Sequence, residues 1–137
     1  GPLKPVMSLK ARVTQTRTLP QGATISYGRT FTTRRTTHTA VISAGYADGF
    51  SRRLSNKATV TISGKRYPQI GRICMDVSMA DVTDGYDEPG GVRAGDEVTI
   101  IGDGGMSAEE AAQIVGTINY ELTCLITNRV KRIYVNG

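Results

Sequence analysis

Short runs in which apolar and polar residues alternate, each cut off by glycine or proline, constrain this chain more than any other feature. Leu9, Ala11 and Val13 alternate with Lys10, Arg12 and Thr14, the period-two signature of a strand with one buried face. Pro20-Gln-Gly22 turns the chain, and residues 23–27 read as a second strand. Residues 36–45, rich in threonine and then apolar, read as a third. Thr59-Val-Thr-Ile62 runs into Ser63-Gly64, a tight hairpin turn, and the chain returns over residues 66–70. Residues 73–82, 97–101 and 130–135 add further strands, with a Gly- and Pro-rich loop over 83–95. The 137 residues suit a single domain (residues 3–137) and fall far short of the roughly 250 that a (β/α)₈ barrel needs. The predicted fold is mostly β: a small β-barrel of about eight strands with one or two short helices.

One helix is marked at its start. Ser107-Ala-Glu-Glu110 has the form of a capping box, and Ala111, Ile114, Val115 and Ile118 follow as an apolar stripe that Gly116 weakens near its end. A second short helical or turn segment is predicted over 120–128. Gly1-Pro2 has the form of a scar left by tag removal, and the residues after it read like the interior of a longer protein.

Composition excludes several classes. With 39% hydrophobic and 21% charged residues the chain is globular rather than disordered. No apolar run approaches the ~18 residues of a membrane span. Cys74 and Cys124 are too few for a disulfide framework, and with His38 as the single histidine they do not make a zinc site. No metal is expected, and a reduced, cytoplasmic location is. The net charge is +5, and it is unevenly placed. No acidic residue precedes Asp48, whereas Lys4, Lys10, Arg12, Arg17, Arg29, Arg34 and Arg35 all do. Either the two halves meet and neutralise one another, or the basic half lines a groove for single-stranded nucleic acid.

Six tyrosines stand against two phenylalanines and no tryptophan. Tyr27 lies in Ser26-Tyr-Gly28, and Tyr46 in Gly45-Tyr-Ala-Asp-Gly49, where Asp48-Gly49 asks for a turn. Each phenol is placed either for chemistry or to pack its ring and cap a loop. Gly71-Arg-Ile-Cys-Met-Asp76, read as strand, puts Arg72, Cys74 and Asp76 on one face and Ile73 and Met75 on the other. Cys74 as a nucleophile would need His38 as its base and is better read as an exposed, structural residue. Gly102-Asp-Gly-Gly105 lacks the Lys-Ser/Thr of a phosphate-binding loop and reads as a turn.

Ser26-Tyr-Gly28, Gly45-Tyr-Ala-Asp-Gly49, Gly71-Arg-Ile-Cys-Met-Asp76 and Ile118-Asn-Tyr-Glu121, followed by Arg129-Val130, occur in one order. Together they resemble the C-terminal β-domain of alanine racemases, pyridoxal phosphate (PLP) enzymes of fold type III, from Leu9 to about Val135. The resemblance implies an N-terminal barrel, absent from this chain, that carries PLP on a lysine, and a homodimer in which each β-domain covers the partner's barrel mouth. It implies that Tyr27 is the second catalytic base and that Tyr46 and Met75 bind the substrate carboxylate, Met75 through its backbone N–H. Arg52, Arg72 and Ile118 would line the substrate's access corridor, Tyr120 would hydrogen-bond the PLP phosphate, and Asp76 would order the strand end behind them. Val77 departs from the glutamine that many members carry after Met-Asp.

The activity implied by this resemblance is interconversion of L- and D-alanine, supplying D-alanine for cell-wall peptidoglycan, with this chain inactive by itself. The partners would be the barrel, the second subunit and an amino-acid substrate, with no nucleic acid, and a membrane only through a further domain. The alternatives are a serine/alanine racemase of the vancomycin-resistance type and the nucleic-acid-binding barrel. A free phenol titrates near pH 10, so a base at Tyr27 needs tuning by a nearby cation. Arg29 is the sequence neighbour that would do so, with the main tuning group assigned to the barrel.

Overall fold

The computed structural model describes residues 5–25, 31–87, 89–102, 104–116 and 133–136. Its first strand, β1 (Pro5–Leu19), runs for 15 residues and organises the rest. The others are β2 (Thr24–Ile25), β3 (Phe31–Thr32), β4 (Thr37–Ile42), β5 (Thr59–Ile62), β6 (Lys65–Ile70), β7 (Ser78–Asp81), β8 (Glu97–Ile101) and β9 (Ile133–Asn136). All pairings are antiparallel. The order β4-β7-β6-β5-β8-β1-β9 closes on itself because β1 also pairs with β4, so six strands form a barrel with β9 appended to β1.

Closure depends on the length of β1. Its first third pairs with β9, its middle with β8 and its last part with β4. Register shifts between Leu9 and Lys10 and between Val13 and Gln15 let one strand bend from one neighbour to the next. Alternation then fills the interior: Leu9, Val13, Ala40, Ile42, Val60, Ile62, Ala80, Val98 and Ile100 are all buried. Phe50, Leu54, Ile73 and Val82 plug the core from connecting segments. At the β5–β6 hairpin Ser63 and Gly64 both take positive φ, 52° and 80°, as the turn type matching strand twist requires.

Among the described residues two α-helices lie outside the barrel. α2 (Ala108–Val115) begins as its sequence dictates: the Ser107 Oγ accepts from the Glu110 N–H at 3.0 Å, and the Glu110 carboxylate accepts from the Ser107 N–H at 3.3 Å. It buries Ala111, Ala112 and Val115, with Ile114 packed against the core at its edge. Gly116 caps it in the left-handed region. α1 (Thr83–Tyr86) falls in the segment predicted as loop. Asp81 holds its start, its Oδ1 accepting from the Thr83 N–H and hydroxyl.

The largest departure from the predicted strands is at 73–82, of which only Ser78–Asp81 is strand. Residues 71–77 are irregular because their backbone groups bond elsewhere. The Gly71 and Ile73 N–H groups go to side chains, the Cys74 N–H closes a turn onto the Val77 carbonyl, and the Cys74 and Met75 carbonyls accept from another loop. The predicted faces fail with the strand: Ile73 is buried and Met75 is exposed. The other strands shift at their ends, β1 being longer than predicted and the third strand ending at Ile42. The segment over 120–128 lies outside the described residues.

Candidate active site

Two loops meet at one end of the barrel. The first leaves β4 through Ala44 and Gly45 and forms a 3₁₀ turn, Tyr46–Asp48, closed by Gly49 at φ 101°. Asp48 is buried, and its Oδ2 accepts from the Gly45 N–H at 3.1 Å, which fixes the turn from inside. The second loop is residues 71–77. Two backbone bonds clip them together: Tyr46 N–H to the Cys74 carbonyl at 2.9 Å and Ala47 N–H to the Met75 carbonyl at 3.0 Å. The approach is close enough that a Cβ on Gly45 would run into the Cys74 and Met75 carbonyls. Ser78 adds a third tie, donating its hydroxyl to the Ala44 carbonyl at 2.8 Å.

The clip sets two of the predicted site residues, Tyr46 and Met75, on neighbouring loops, with Arg52 beside Tyr46. Tyr46 and Met75 are the two exposed large hydrophobic residues among those described, at 40% and 51% exposure. The Arg52 guanidinium lies over the Tyr46 ring, its Cζ 4.7 Å from the centroid, a cation–π contact. An open hollow of about 320 Å³ runs between Tyr46, Gly49, Ser51, Arg52 and Arg53. Arg72 and Asp76 are exposed on the 71–77 loop. The Met75 carbonyl is engaged by Ala47, while among the described residues its N–H has no intramolecular acceptor. A guanidinium beside a phenol, with the Met75 N–H on the adjoining loop, is a donor set that suits a small anion.

A 3₁₀ turn, Arg52–Leu54, supports this face. Leu54 is its buried anchor, and Arg53 ties it to α2 by donating to the Val115 carbonyl at 2.8 Å, where a cation also meets the negative end of the helix dipole. Sequence reasoning missed the two residues after this turn. Ser55 Oγ accepts from the Ile73 N–H at 2.9 Å, and Asn56 Oδ1 accepts from the Gly71 N–H at 2.6 Å. Their one signal was the Ser-Asn pair ahead of a strand, a pattern that also fits an ordinary turn.

Tyr27, Ile118 and Tyr120 lie outside the described residues. Cys74 is half-buried rather than exposed, with its Sγ 3.6 Å from the Arg72 carbonyl. His38 is occupied elsewhere, with Nδ1 3.0 Å from the Thr18 hydroxyl and its ring stacked on Tyr86 at 4.0 Å. The Gly105 N–H bonds the Gly102 carbonyl at 2.9 Å. The two halves of the chain do meet in charge: Lys10 pairs with Glu97 at 3.2 Å, and Arg35 with Asp84 at 3.3 Å and Asp81 at 3.8 Å. Among the described residues no helix is long and apolar enough to cross a membrane.

Comparison with known proteins falls on the same motifs. The family described as alanine racemase, C-terminal domain, matches residues 6–134. The alanine racemase of Clostridium novyi (strain NT) is 46% identical over 138 residues, covering 98% of this chain and 35% of its own length. That of Carboxydothermus hydrogenoformans is 48% identical over 136 residues, covering 97% of this chain and 36% of its own. Among solved structures, the alanine racemase of Bartonella henselae with covalently bound pyridoxal phosphate superposes with a TM-score of 0.83 at 39% identity, over 92% of this chain and 34% of that one. The chain thus spans about a third of the length of the curated relatives it matches.

Proposed function

The chain belongs to the alanine racemase C-terminal domain family, and from that premise we propose that it is the β-domain of a PLP-dependent racemase interconverting L- and D-alanine. Its role is to supply one acid–base group and the carboxylate-binding face to a cofactor held mainly by a barrel domain. The observation that supports the reading is the backbone clip between residues 45–49 and 71–77, which sets the Tyr46 and Met75 segments side by side with the Arg52 guanidinium over the Tyr46 ring.

The donors on that face fit an anion. Arg52 and Arg53 line the hollow beside Tyr46, which suits the substrate carboxylate, and the covalent hold on PLP would belong to the barrel. When bound, the cofactor delocalises the electron pair left at the substrate Cα. Tyr46 and the Met75 N–H grip the carboxylate and so fix which way the Cα–H bond points. Arg52 and Arg72 raise the local concentration of the anionic substrate at the mouth of the corridor, with Ile118 as its apolar wall. Asp76 orders the end of the 71–77 loop, and Tyr120 holds the PLP phosphate. Racemisation removes a proton from one face of Cα and returns one to the other, so two acid–base groups must oppose each other. The Tyr27 phenol is one, and the barrel lysine is the other. The assembly is a homodimer, in the cytoplasm, serving peptidoglycan synthesis.

The test uses the full-length protein. Tyr27→Phe keeps the ring and removes only the hydroxyl. We expect kcat to fall by about 10²–10⁴-fold, with PLP content unchanged. In D₂O the variant should still exchange the α-proton of D-alanine, while exchange from L-alanine collapses. Exchange from L-alanine at the wild-type rate would remove Tyr27 from this role.

A further inference from the structure

We propose that Ser55 and Asn56 are positioning residues for the carboxylate-binding face, acting through the 71–77 loop without touching substrate. The proposal rests on the racemase reading and extends it to a segment that the site motifs leave out.

Residues 51–57 have two attachments to the site. At one end Arg52 lies over Tyr46, its Cζ 4.7 Å from the ring centroid. At the other end Ser55 Oγ takes the Ile73 N–H and Asn56 Oδ1 takes the Gly71 N–H, at 2.9 and 2.6 Å. The segment therefore spans the gap between the phenol and the loop that carries Arg72 and the Met75 N–H. It is stiff. Leu54 is fully buried, and the Ser55 and Lys57 N–H groups close successive turns onto the Arg52 and Leu54 carbonyls. Asn56 sits at φ 62°, a left-handed conformation that asparagine tolerates better than most residues.

Gln69 anchors Asn56 from beneath. It is 1% exposed, and its amide is satisfied at both ends. Its Oε1 accepts from the Asn56 N–H at 2.8 Å, and its Nε2 donates to the Ile70 and Gly71 carbonyls, each at 2.9 Å. Two peptide units at the start of the 71–77 loop, those ending in the Gly71 and Ile73 N–H groups, are thus held by side chains from a distant turn. A buried amide so committed has one low-energy arrangement, since losing any partner leaves a polar group unpaired away from water. The loop has no strand ladder of its own over Gly71–Val77 to hold it in place. The two backbone bonds from Tyr46 and Ala47 hold its far part, and the side-chain acceptors hold its near part at Gly71 and Ile73, so that together they set where Arg72 and the Met75 N–H stand.

The experiment uses full-length protein. Ser55→Ala and Asn56→Gly each delete one acceptor, and glycine tolerates the positive φ at position 56, so that variant keeps its turn. Ser55→Thr keeps the hydroxyl and serves as the conservative rescue. Alanine racemisation gives KM and kcat, and hydrogen exchange followed by mass spectrometry reads the amides of residues 71–75. Deleting either acceptor should quicken exchange over 71–75 and raise KM for alanine about three- to tenfold, with kcat within about twofold. Ser55→Thr should match wild type in both. Quickened exchange with KM unchanged would overturn the proposal, as would a KM raised equally in Ser55→Thr. A wild-type full-length protein that does not racemise alanine overturns the functional reading first and takes this inference with it. An active wild type with indifferent variants overturns the inference alone.

Discussion

Gly45 is required by its neighbours rather than by its own backbone. Its φ is −144°, extended geometry open to any residue, and the constraint is that a Cβ would meet the carbonyls of Cys74 and Met75. Gly45→Ala should therefore force the two loops apart. Overpacking of this kind costs about 1–3 kcal/mol, which would appear as a lower denaturant midpoint with an unchanged slope. At Gly64, by contrast, nothing stands within 4 Å of a Cβ and the constraint is a φ of 80°. This difference explains what was legible at the scale of residues. Tyr46 could be picked out because Asp48-Gly49 announces a turn. The environment of Met75 could not, because reading Arg72 to Asp76 as alternating strand assumes a ladder. Among the bonds that abolish the ladder are those from Asn56 and Ser55, fifteen and eighteen residues away in sequence, and alternation within residues 71–77 carries no trace of them.

Elements with their own punctuation were read best. α2 was visible because its start is chemically marked, and the same marks make it testable. Ser107→Ala removes the oxygen that takes the Glu110 N–H and should cost about 0.5–2 kcal/mol. Glu110 has a second partner, Arg66, whose Nη1 lies 3.0 Å from its Oε2. That hydrogen bond, with the one from the Ser107 backbone, holds the Glu110 carboxyl below its ordinary value, and the same contact raises Arg66 above its own. A carboxyl lowered by folding stabilises the native state while ionised. Its contribution is complete above the ordinary carboxyl range and disappears as pH falls through the lowered value. Glu110→Gln keeps a capping side chain but no charge. The gap in thermal midpoint between wild type and variant should be steady near neutrality and close as the solution is acidified below about pH 4. Because both side chains are exposed, the gap should be small and shrink further in high salt. α1 was missed for the opposite reason. Gly85 within it reads as a breaker, yet it is needed because the Tyr67 hydroxyl packs where its Cβ would be.

At the scale of the whole molecule, closure of the barrel was the least legible feature. Nothing in the residues of β1 says that its last part, from Val13 to Leu19, pairs with β4 rather than ending in a loop, since pairing is a long-range property that period-two alternation leaves open. Closure leaves the apolar interior well covered, with twenty-four buried hydrophobic residues among those described. Against that background Tyr46 and Met75 stand exposed on neighbouring loops, an apolar patch of the kind that partner proteins cover. On the racemase reading the cover is the barrel of the partner subunit, and the claim is open to a chemical test. Met106 is 1% exposed and Met75 51% exposed, so the chain carries an internal control. Dilute peroxide converts accessible methionine to the sulfoxide. In the 137-residue chain alone, peptide mapping should show Met75 oxidised well ahead of Met106. In the assembled full-length protein Met75 should be slowed severalfold while Met106 stays slow in both. Equal oxidation of Met75 in the two forms would mean that nothing covers this face, and the placement of the carboxylate site at a subunit boundary would fail with it.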